Sequence, residues 1–373
     1  VFTVTGGGAY CSGTTIGVPI GVSNSQSGVN YQLFRAGSTV GTAVAGTGSA
    51  IAFPNQTIAG GYTVVATNPT TGCLSSMFGS ANVSINPLPI AFTLTAPFGN
   101  SYCVGGTGVR LILSSSEVGA NYQLVNGSTP VGPIFVGTGA PIDFGLITGA
   151  GNYTAQATYT ATGCVGPMSG TITVVINALP IAYNVTVTGG GTYCASGTGP
   201  TVGLSSSQTG VNYQLYLGGV AVTPAVIVSG TGSAISFGPR TVPGAYTVVA
   251  TNTTTLCTNN MTGSAAVIVN PLPVAYTMTG GGGYCAGTSG VRIGLSGSDV
   301  GVNYQLKNGG ANVGSPLAGI GSSIDFGLIT TTGASYTVVA TNTATGCTNT
   351  MTGTLPVSIN PLPVAYPVTG TGN

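Results

Sequence analysis

One short pattern of alternating apolar and polar residues occurs four times along this chain, at intervals of 91 residues. In its last copy Val302, Tyr304 and Leu306 alternate with two amide side chains. A period of two is typical of a β-strand with one buried face, and the aromatic content and flanking glycines favour a strand over a short helix. We therefore predict a half-buried anchor strand with a core tyrosine in every copy. The anchor strands are residues 28–33, 119–124, 210–215 and 301–306, and their core tyrosines are Tyr31, Tyr122, Tyr213 and Tyr304.

Other short patterns of the same kind surround each anchor strand. In the fourth copy they are residues 275–279, 291–295, 324–326, 336–342 and 357–359. Strands of this length, with turns every eight to twelve residues and about seven strands in about 90 residues, are typical of an immunoglobulin-like sandwich. The predicted fold is all-β, with four tandem immunoglobulin-like β-sandwich domains in a rod. The anchor strand would be the third of each domain.

The repeat also sets the predicted domain boundaries. We predict repeat 1 at residues 1–89, repeat 2 at 90–180, repeat 3 at 181–273 and repeat 4 at 274–363. Residues 364–373 copy the opening of repeat 4, so we expect a fifth repeat to begin there and the chain to be a window on a longer array.

The repeats are joined by linkers of the form Asn-x-Leu-Pro, without glycine. Proline restricts its own φ and favours extended geometry in the residue before it, so we predict stiff junctions. No acidic residue lies in a linker, which excludes junctions held by calcium. The linker prolines are Pro87, Pro89, Pro180, Pro271, Pro273, Pro361 and Pro363.

Charge is scarce in this chain. Only 2% of its 373 residues are charged, histidine and tryptophan are absent, and the net charge is +1. We therefore predict a surface of Thr, Ser, Asn, Gln and Gly. Scattered cations without a basic stripe speak against nucleic-acid binding. No apolar run reaches the ~18 to 20 residues of a spanning helix, so the chain is not predicted to be membrane-spanning.

Eight cysteines fall two to a repeat, and the two of one repeat are 61 to 63 residues apart. An even count at repeated spacing, with no histidine, favours disulfides over zinc and indicates an oxidising compartment. We predict bonds within each repeat, which would lock the ~60 enclosed residues against extension. Two alternatives remain: bonds from each second cysteine to the next repeat's first cysteine, or reduced thiols. The cysteines are Cys11 and Cys73, Cys103 and Cys164, Cys194 and Cys257, and Cys285 and Cys347.

The few charged residues alternate between odd and even repeats. Repeats 2 and 4 share an arginine and two acids, where repeats 1 and 3 have uncharged residues. We interpret the charges as possible contacts between adjacent chains. A catalytic alternative pairs Glu117 with Asp143 as two carboxylates, but both lie at predicted solvent-facing positions that sister repeats fill with Gln and Ala. We predict no catalytic residue, metal ligand or cofactor, and no enzyme. The possible contact residues are Arg35, Arg110, Glu117, Asp143, Arg240, Arg292, Asp299 and Asp325.

Several motifs together resemble those of a known group. They are the Tyr-Cys opening, the Gly-Val-Asn-Tyr-Gln-Leu anchor, the Tyr-Thr-Val-Val-Ala-Thr-Asn strands at 246–252 and 336–342, the Thr-Gly-Cys turn and the Asn-Pro-Leu-Pro linker. In this the chain resembles the immunoglobulin-like repeats of very large secreted or surface proteins of Bacteroidota. The resemblance implies export by the type IX route and a role in adhesins or hook-like extracellular filaments. Repeat 2 departs most from the pattern, with Asn177-Ala-Leu-Pro180 as its linker.

From these observations we expect an extracellular or cell-surface protein without enzymatic activity. It would be a stiff, disulfide-bridged, tension-bearing segment of a filament or adhesin stalk. Its uncharged faces favour lateral association of identical chains, and glycans of other cells would be met by regions outside this chain. The alternatives are an array of carbohydrate-binding modules, which the absence of tryptophan disfavours, and ice binding through Thr-x-Thr pairs, which occur only singly.

Overall fold

The computed structural model describes residues 1–368 and 370. The chain divides into two compact units, Val1–Ala178 and a second unit from Leu179 onward. Each unit contains two β-sandwiches, and each sandwich is made of a three-stranded sheet facing a larger sheet around its own buried core. The predicted fold class, tandem immunoglobulin-like β-sandwiches, is confirmed.

The first unit contains repeats 1 and 2. The strands of repeat 1 are β1 (Val4–Gly6), β2 (Gly8–Cys11), β3 (Val18–Val22), β4 (Asn30–Arg35), β5 (Ser38–Ala45), β6 (Ile51–Gln56), β7 (Gly60–Thr67), β8 (Leu74–Ser76) and β9 (Ala81–Asn86). Those of repeat 2 are β10 (Leu94–Thr95), β11 (Ser101–Cys103), β12 (Val109–Leu113), β13 (Ala120–Asn126), β14 (Thr129–Val136), β15 (Ile142–Ile147), β16 (Gly151–Tyr159), β17 (Val165–Pro167) and β18 (Ile172–Asn177). In repeat 1 the small sheet has the order β1-β3-β6 and the large sheet the order β2-β9-β7-β4-β5, with β8 paired to β7.

The second unit contains repeats 3 and 4 with the same sheet order. The strands of repeat 3 are β19 (Val185–Val187), β20 (Thr192–Cys194), β21 (Thr201–Leu204), β22 (Val211–Leu217), β23 (Val220–Ala221), β24 (Ile227–Ser229), β25 (Ile235–Pro239), β26 (Gly244–Asn252), β27 (Thr258–Asn260) and β28 (Ala265–Asn270), with a short 3₁₀ segment at Thr188–Gly191. Those of repeat 4 are β29 (Met278–Gly280), β30 (Gly282–Cys285), β31 (Val291–Leu295), β32 (Val302–Asn308), β33 (Ala311–Ala318), β34 (Ile324–Ile329), β35 (Gly333–Asn342), β36 (Thr348–Thr350) and β37 (Leu355–Asn360).

The anchor strands are interior strands of the large sheets. In repeat 4, β32 pairs with β33 on one side and with β35 on the other. Val302, Tyr304 and Leu306 are buried in the core at 4% exposure or less, as the alternation of apolar residues predicts. The anchor tyrosines of all four repeats are 0 to 1% exposed.

The anchor strand is the fourth of its repeat rather than the third, because the opening segment divides between the two sheets. In repeat 1, β1 pairs antiparallel with β3 of the small sheet, whereas β2 pairs parallel with β9 of the large sheet. The chain crosses between the sheets at Gly6 and Gly7, whose φ values are 86° and 80°. A Cβ at Gly7 would lie 2.7 Å from the carbonyl oxygen of Asn82, so this crossing requires glycine.

The segment after repeat 4 is exposed where the structure describes it. Residues 361–368 lie outside any strand, and Tyr366 is 84% exposed. Of the predicted opening of a fifth repeat, residues 369 and 371–373 lie outside the described residues.

Candidate functional site: the joints between repeats

The disulfide bonds connect neighbouring repeats. Cys11 of repeat 1 is bonded to Cys164 of repeat 2, and Cys194 of repeat 3 is bonded to Cys347 of repeat 4. Each bond joins a first cysteine to the second cysteine of the following repeat, across 153 residues. The predicted pairing within a repeat is therefore wrong, and so is the alternative from a second cysteine to the next first one.

The remaining cysteines differ in state. Cys103 and Cys257 are also disulfide-bonded. Cys73 and Cys285 are exposed free thiols, which corrects the prediction that every cysteine of the chain is bonded.

The position of the first cysteine follows from the parallel pairing of two strands far apart in sequence. In repeat 1, β2 runs parallel to β9 and places Cys11 opposite Asn86. Repeat 3 has the same arrangement, with Cys194 opposite Asn270. Because each linker begins at this asparagine, the first cysteine lies where the chain leaves its repeat.

The second cysteine lies at the opposite end, where the chain enters the repeat. In repeat 2, Cys164 directly precedes β17, and a Cβ at Gly166 would lie 3.2 Å from the ring of Pro89. The linker from repeat 1 therefore lies against β17 of repeat 2. A first cysteine at the exit of one sandwich thus meets a second cysteine at the entrance of the next, and Cys164 is completely buried.

Hydrogen bonds hold each linker on the repeat that follows it. Asn259 Nδ2 donates to the carbonyl oxygen of Pro180 at 2.7 Å, and Asn349 Nδ2 donates to that of Pro273 at 2.8 Å. Both prolines are buried, as is Pro89. The last proline of a linker is thus held by the following repeat, through its carbonyl oxygen at Pro180 and Pro273 and through its ring at Pro89.

A second contact fixes the residue after the linker. The amide of Ile90 donates to Glu117 Oε2 at 2.8 Å, and the amide of Ile181 donates to Gln208 Oε1 at 2.6 Å. We call the linker, these polar contacts and the disulfide together the joint. The cysteine bond and the linker connect the two sandwiches of a unit at one place, so they restrain the same hinge.

The anchor tyrosines support the joint from the core. The hydroxyl of Tyr122 accepts the amide N–H of Glu117 at 2.8 Å, and that of Tyr213 accepts the amide N–H of Gln208 at 2.8 Å. Burial raises the pKa of Tyr122 and of Tyr213 above the ordinary value of tyrosine. The residue that receives the linker amide is therefore held in turn by a buried, neutral phenol.

Several of the predicted contact residues are engaged within their own repeat. Arg110 forms an ion pair with Asp143, and its Nε donates to that carboxylate at 2.9 Å. Arg292 pairs in the same way with Asp325. The hydrogen bond from Arg110 holds the pKa of Asp143 below its ordinary value. These contacts stay inside one sandwich, and the predicted contacts between chains stay a prediction.

The other two acids accept hydrogen bonds within their own repeat, whereas the other two arginines are partly unpaired. Glu117 receives the hydroxyl of Tyr159 at 3.1 Å in addition to the linker amide. Asp299 receives the hydroxyl of Tyr276 at 2.7 Å. The arginines of the odd repeats, Arg35 and Arg240, each have one buried nitrogen without an acceptor.

The contacts of Glu117 and Asp143 bear on the alternative in which these two residues are paired catalytic carboxylates. Glu117 contacts the joint, whereas Asp143 contacts Arg110 and the amide of Gly145. Each carboxylate is thus occupied by structural hydrogen bonds. Within the residues that the structure describes, no three metal-ligating side chains come together, and no apolar helix has the length that a bilayer requires.

The chain is similar to solved structures of tandem immunoglobulin domains. No family model and no curated protein matches the chain. Similar solved structures include the ICAM-5 D1–D4 ectodomain fragment, with 12% identity, 96% of this chain and 100% of that chain covered and a TM-score of 0.38. The immunoglobulin domains 1–4 of Sidekick-1 have 10% identity, 96% and 99% coverage and a TM-score of 0.24. The eight N-terminal immunoglobulin domains of DSCAM have 12% identity, 96% and 54% coverage and a TM-score of 0.29.

Proposed function

We propose that this chain is a non-enzymatic, tension-bearing segment of an extracellular filament or adhesin stalk. The observation that carries the proposal is the disulfide bond across the joint, Cys11 to Cys164 and again Cys194 to Cys347. A module that only displays a binding site does not need covalent joints in order to bind. A segment that transmits force needs them, because otherwise each linker would be the first part to extend.

The disulfide also limits how far the chain can lengthen under load. Residues between Cys11 and Cys164 cannot contribute to extension while the bond is intact, even when both sandwiches unfold. At about 3.4 Å per extended residue, reduction of one such bond releases on the order of 500 Å of chain. This is more than twice what a single bond within one repeat would hide.

Pulling single molecules from both ends tests this role. We expect oxidised chains to extend less than reduced chains by about 500 Å for each of the two loops, Cys11 to Cys164 and Cys194 to Cys347. Cys164→Ser should lengthen the oxidised chain by part of one such step, because Cys103 inside this loop is itself disulfide-bonded. Cys73→Ser is the matched control, because it removes a cysteine that has no bond in the described structure. Equal lengths in oxidised wild type and Cys164→Ser would contradict the proposal.

We further propose that identical chains associate side by side. Two of the four acids are neutralised by arginines of their own repeat, so little charge remains to keep copies apart. Val118 and Val300 occupy equivalent positions and are each 78% exposed, which adds apolar surface. Uncharged surfaces with exposed apolar side chains favour association.

Sedimentation over a range of protein concentrations tests the association. We expect the mass to rise with concentration and to change little with salt. The double variant Val118→Lys with Val300→Lys should reduce association, since it adds two like charges to each copy. The double variant to Thr removes the same apolar surface without charge and separates the two causes. A wild-type protein that stays monomeric at every concentration would contradict the proposed side-by-side association.

Oxidised cysteines and the motifs given above support the cellular setting. Disulfides persist in oxidising compartments, which favours an extracellular or cell-surface location. The resemblance to repeats of giant Bacteroidota surface proteins supports export by the type IX route. Detection of the protein on intact cells of its source, by labelling before lysis, is the corresponding test.

A further inference from the structure

Repeat 3 has an open cleft at one end of its sandwich, with a volume of about 400 Å³. The half-buried Leu217 and the buried Tyr246 line the cleft from the large sheet. Arg240 lines it from the segment that follows β25 of the small sheet, and most of the remaining lining is aliphatic, including Val220 and Val222. Small-molecule sites are typically apolar clefts of ~300 to 1,000 Å³ with a few polar groups, so this cleft has the size and lining of one.

A longer outer strand accounts for one wall of the cleft. From the anchor leucine Leu215 to Tyr246 the chain advances 31 residues, against 29 or 30 in the other repeats. The outer strand of repeat 3 is interrupted between β23 and β24. Val222 and Val226 both form backbone hydrogen bonds with Leu215, at 3.1 and 3.0 Å, so residues 223–225 bulge out between them. Val222 and the start of this bulge form the wall.

Repeats 2 and 4 have a polar side chain where repeat 3 has Leu217. Leu217 lies opposite Tyr246 in the sheet, as Asn126 and Asn308 lie opposite the equivalent tyrosines. The two asparagines donate to the carbonyl oxygens of Ala150 and Thr332, each at 3.3 Å, and so tie down this end of their sandwiches. Leucine has no donor, so repeat 3 lacks the equivalent hydrogen bond.

Arg240 is the second residue by which this end of repeat 3 differs. A Cβ at Gly199 would lie 2.1 Å from the carbonyl oxygen of Arg240, and the glycines at the same place in the other repeats approach one carbonyl each in the same way. These carbonyls belong to residues that are only 7 to 9% exposed, whereas Arg240 is half-buried. A charge therefore occupies a position that the other repeats fill with a buried, uncharged side chain. The residues equivalent to Arg240 are Gln56, Ile147 and Ile329.

The charge of Arg240 has no counter-ion. Arg240 is the only charged residue of repeat 3, and it forms no ion pair within the residues that the structure describes. Its Nη2 donates to the carbonyl oxygen of Phe237, and its buried Nε has no acceptor. Its charge opposes the rise in pKa that burial gives Tyr246, which shows that the guanidinium lies near that phenol. An unneutralised cation beside an apolar cleft favours an anion with an apolar part.

We propose that the cleft of repeat 3 binds a small organic carboxylate with a compact apolar body. The guanidinium of Arg240 holds the carboxylate, because its planar set of donors matches the two oxygens. Leu217, Val220 and Val222 cover the apolar body and remove it from water. No residue that lines the cleft belongs to a joint, so this site goes beyond the mechanical role and does not depend on it.

Side-chain carboxylates of a second copy are poor candidates for this anion. Every acid of the chain already accepts a hydrogen bond within its own repeat, and two of the acids are paired with arginine. A free small molecule has no such competing contacts. The acids concerned are Glu117, Asp143, Asp299 and Asp325.

Titration of the full, oxidised chain with hexanoate, followed by NMR, tests the site. We expect saturable shifts of the methyl groups of Leu217 and Val222 and of the Tyr246 ring. Acetate has the charge without the body and 1-hexanol the body without the charge, so each should bind at least tenfold more weakly. Shifts that do not saturate, or equal affinity for hexanoate and either of these two molecules, would overturn the proposal.

Two variants copy residues that other repeats already contain at these positions. Arg240→Gln introduces the residue of repeat 1, and we expect it to weaken hexanoate binding at least tenfold. Leu217→Asn introduces the residue of repeats 2 and 4, and it should weaken binding severalfold while the charge stays in place. Arg35→Gln, which removes the arginine of repeat 1, is the matched control and should leave the affinity unchanged. Undiminished binding in Arg240→Gln, or an equal loss in Arg35→Gln, would contradict the assigned site.

Discussion

Cys11 is bonded to Cys164 of the next sandwich, and not to Cys73 of its own. The Cα atoms of Cys11 and Cys164 are 5.5 Å apart although the two residues belong to different repeats. The bond therefore closes a loop that contains most of repeats 1 and 2. It gives the two sandwiches of the first unit a second covalent connection in addition to the linker.

The joint disulfide should contribute to stability. Cys164→Ser is expected to lower the free energy of unfolding of the first unit by roughly 2 to 5 kcal/mol, because it removes a loop closure of about 150 residues from the unfolded chain. Calorimetry of the oxidised protein measures the change, with Cys73→Ser as the control that keeps every bond. If both variants melted together, the joint would be mechanically present but thermodynamically neutral.

The anchor phenol should matter through its hydroxyl as well as its ring. The hydroxyl of Tyr304 accepts the amide of Asp299 at 2.8 Å in a fully buried site. Tyr304→Phe keeps the ring but leaves this amide without its acceptor, so we expect a loss of about 1 to 3 kcal/mol in denaturant unfolding. The exposed Tyr366 changed to Phe is the matched control and should cause no change.

Alkaline pH should destabilise the sandwiches. Burial raises the pKa of Tyr122, Tyr213 and Tyr304 above the ordinary value of 10.0. The unfolded chain loses these protons first, so their contribution is complete below about pH 10 and is lost as pH rises through the folded-state values. Unfolding midpoints measured from pH 8 upward should fall above pH 10. A flat profile would mean that the phenols ionise freely in the folded protein.

The linker contact in repeat 4 can be converted to the form found in repeat 1. Asn349→Ser reproduces Ser75 and removes the hydrogen bond to the carbonyl of Pro273. We expect a cost of about 1 kcal/mol. Faster amide exchange of residues that follow the linker would locate the loss at the joint. Thr350→Ser, on the same strand, serves as the control, and an equal effect there would assign the loss to β36 in general.

The ion pair of repeat 2 should be visible in titration. The hydrogen bond from Arg110 lowers the pKa of Asp143, so Arg110→Gln should raise that pKa toward its ordinary value. A lowered carboxyl pKa stabilises the fold above the unfolded value and is lost as pH falls, so the variant should lose less stability on acidification. NMR titration of the carboxyl carbon measures the shift. Arg292→Gln, in the equivalent pair of repeat 4, should leave Asp143 unchanged.

Local patterns predicted the strands well where one face is buried. Residues 291–295 form β31 as predicted, with Ile293 and Leu295 buried and Arg292 exposed. The short strand β36 (Thr348–Thr350) had no such pattern, because its residues are polar and mostly exposed. Its role comes from contact with the linker, which no alternation within three residues can indicate.

The repeat, the all-β class, the anchor strand and the near absence of charge follow from the amino-acid sequence, because they depend on residues close together and on composition. Which cysteines meet follows from the folded structure alone. Spacing of about 62 residues fits a bond within a repeat as well as a bond across a joint. The choice depends on the parallel pairing of β2 with β9, which carries Cys11 to the end where the chain leaves. β2 and β9 are more than 70 residues apart in sequence and pair only in the folded sheet, so no local sequence pattern indicates their contact.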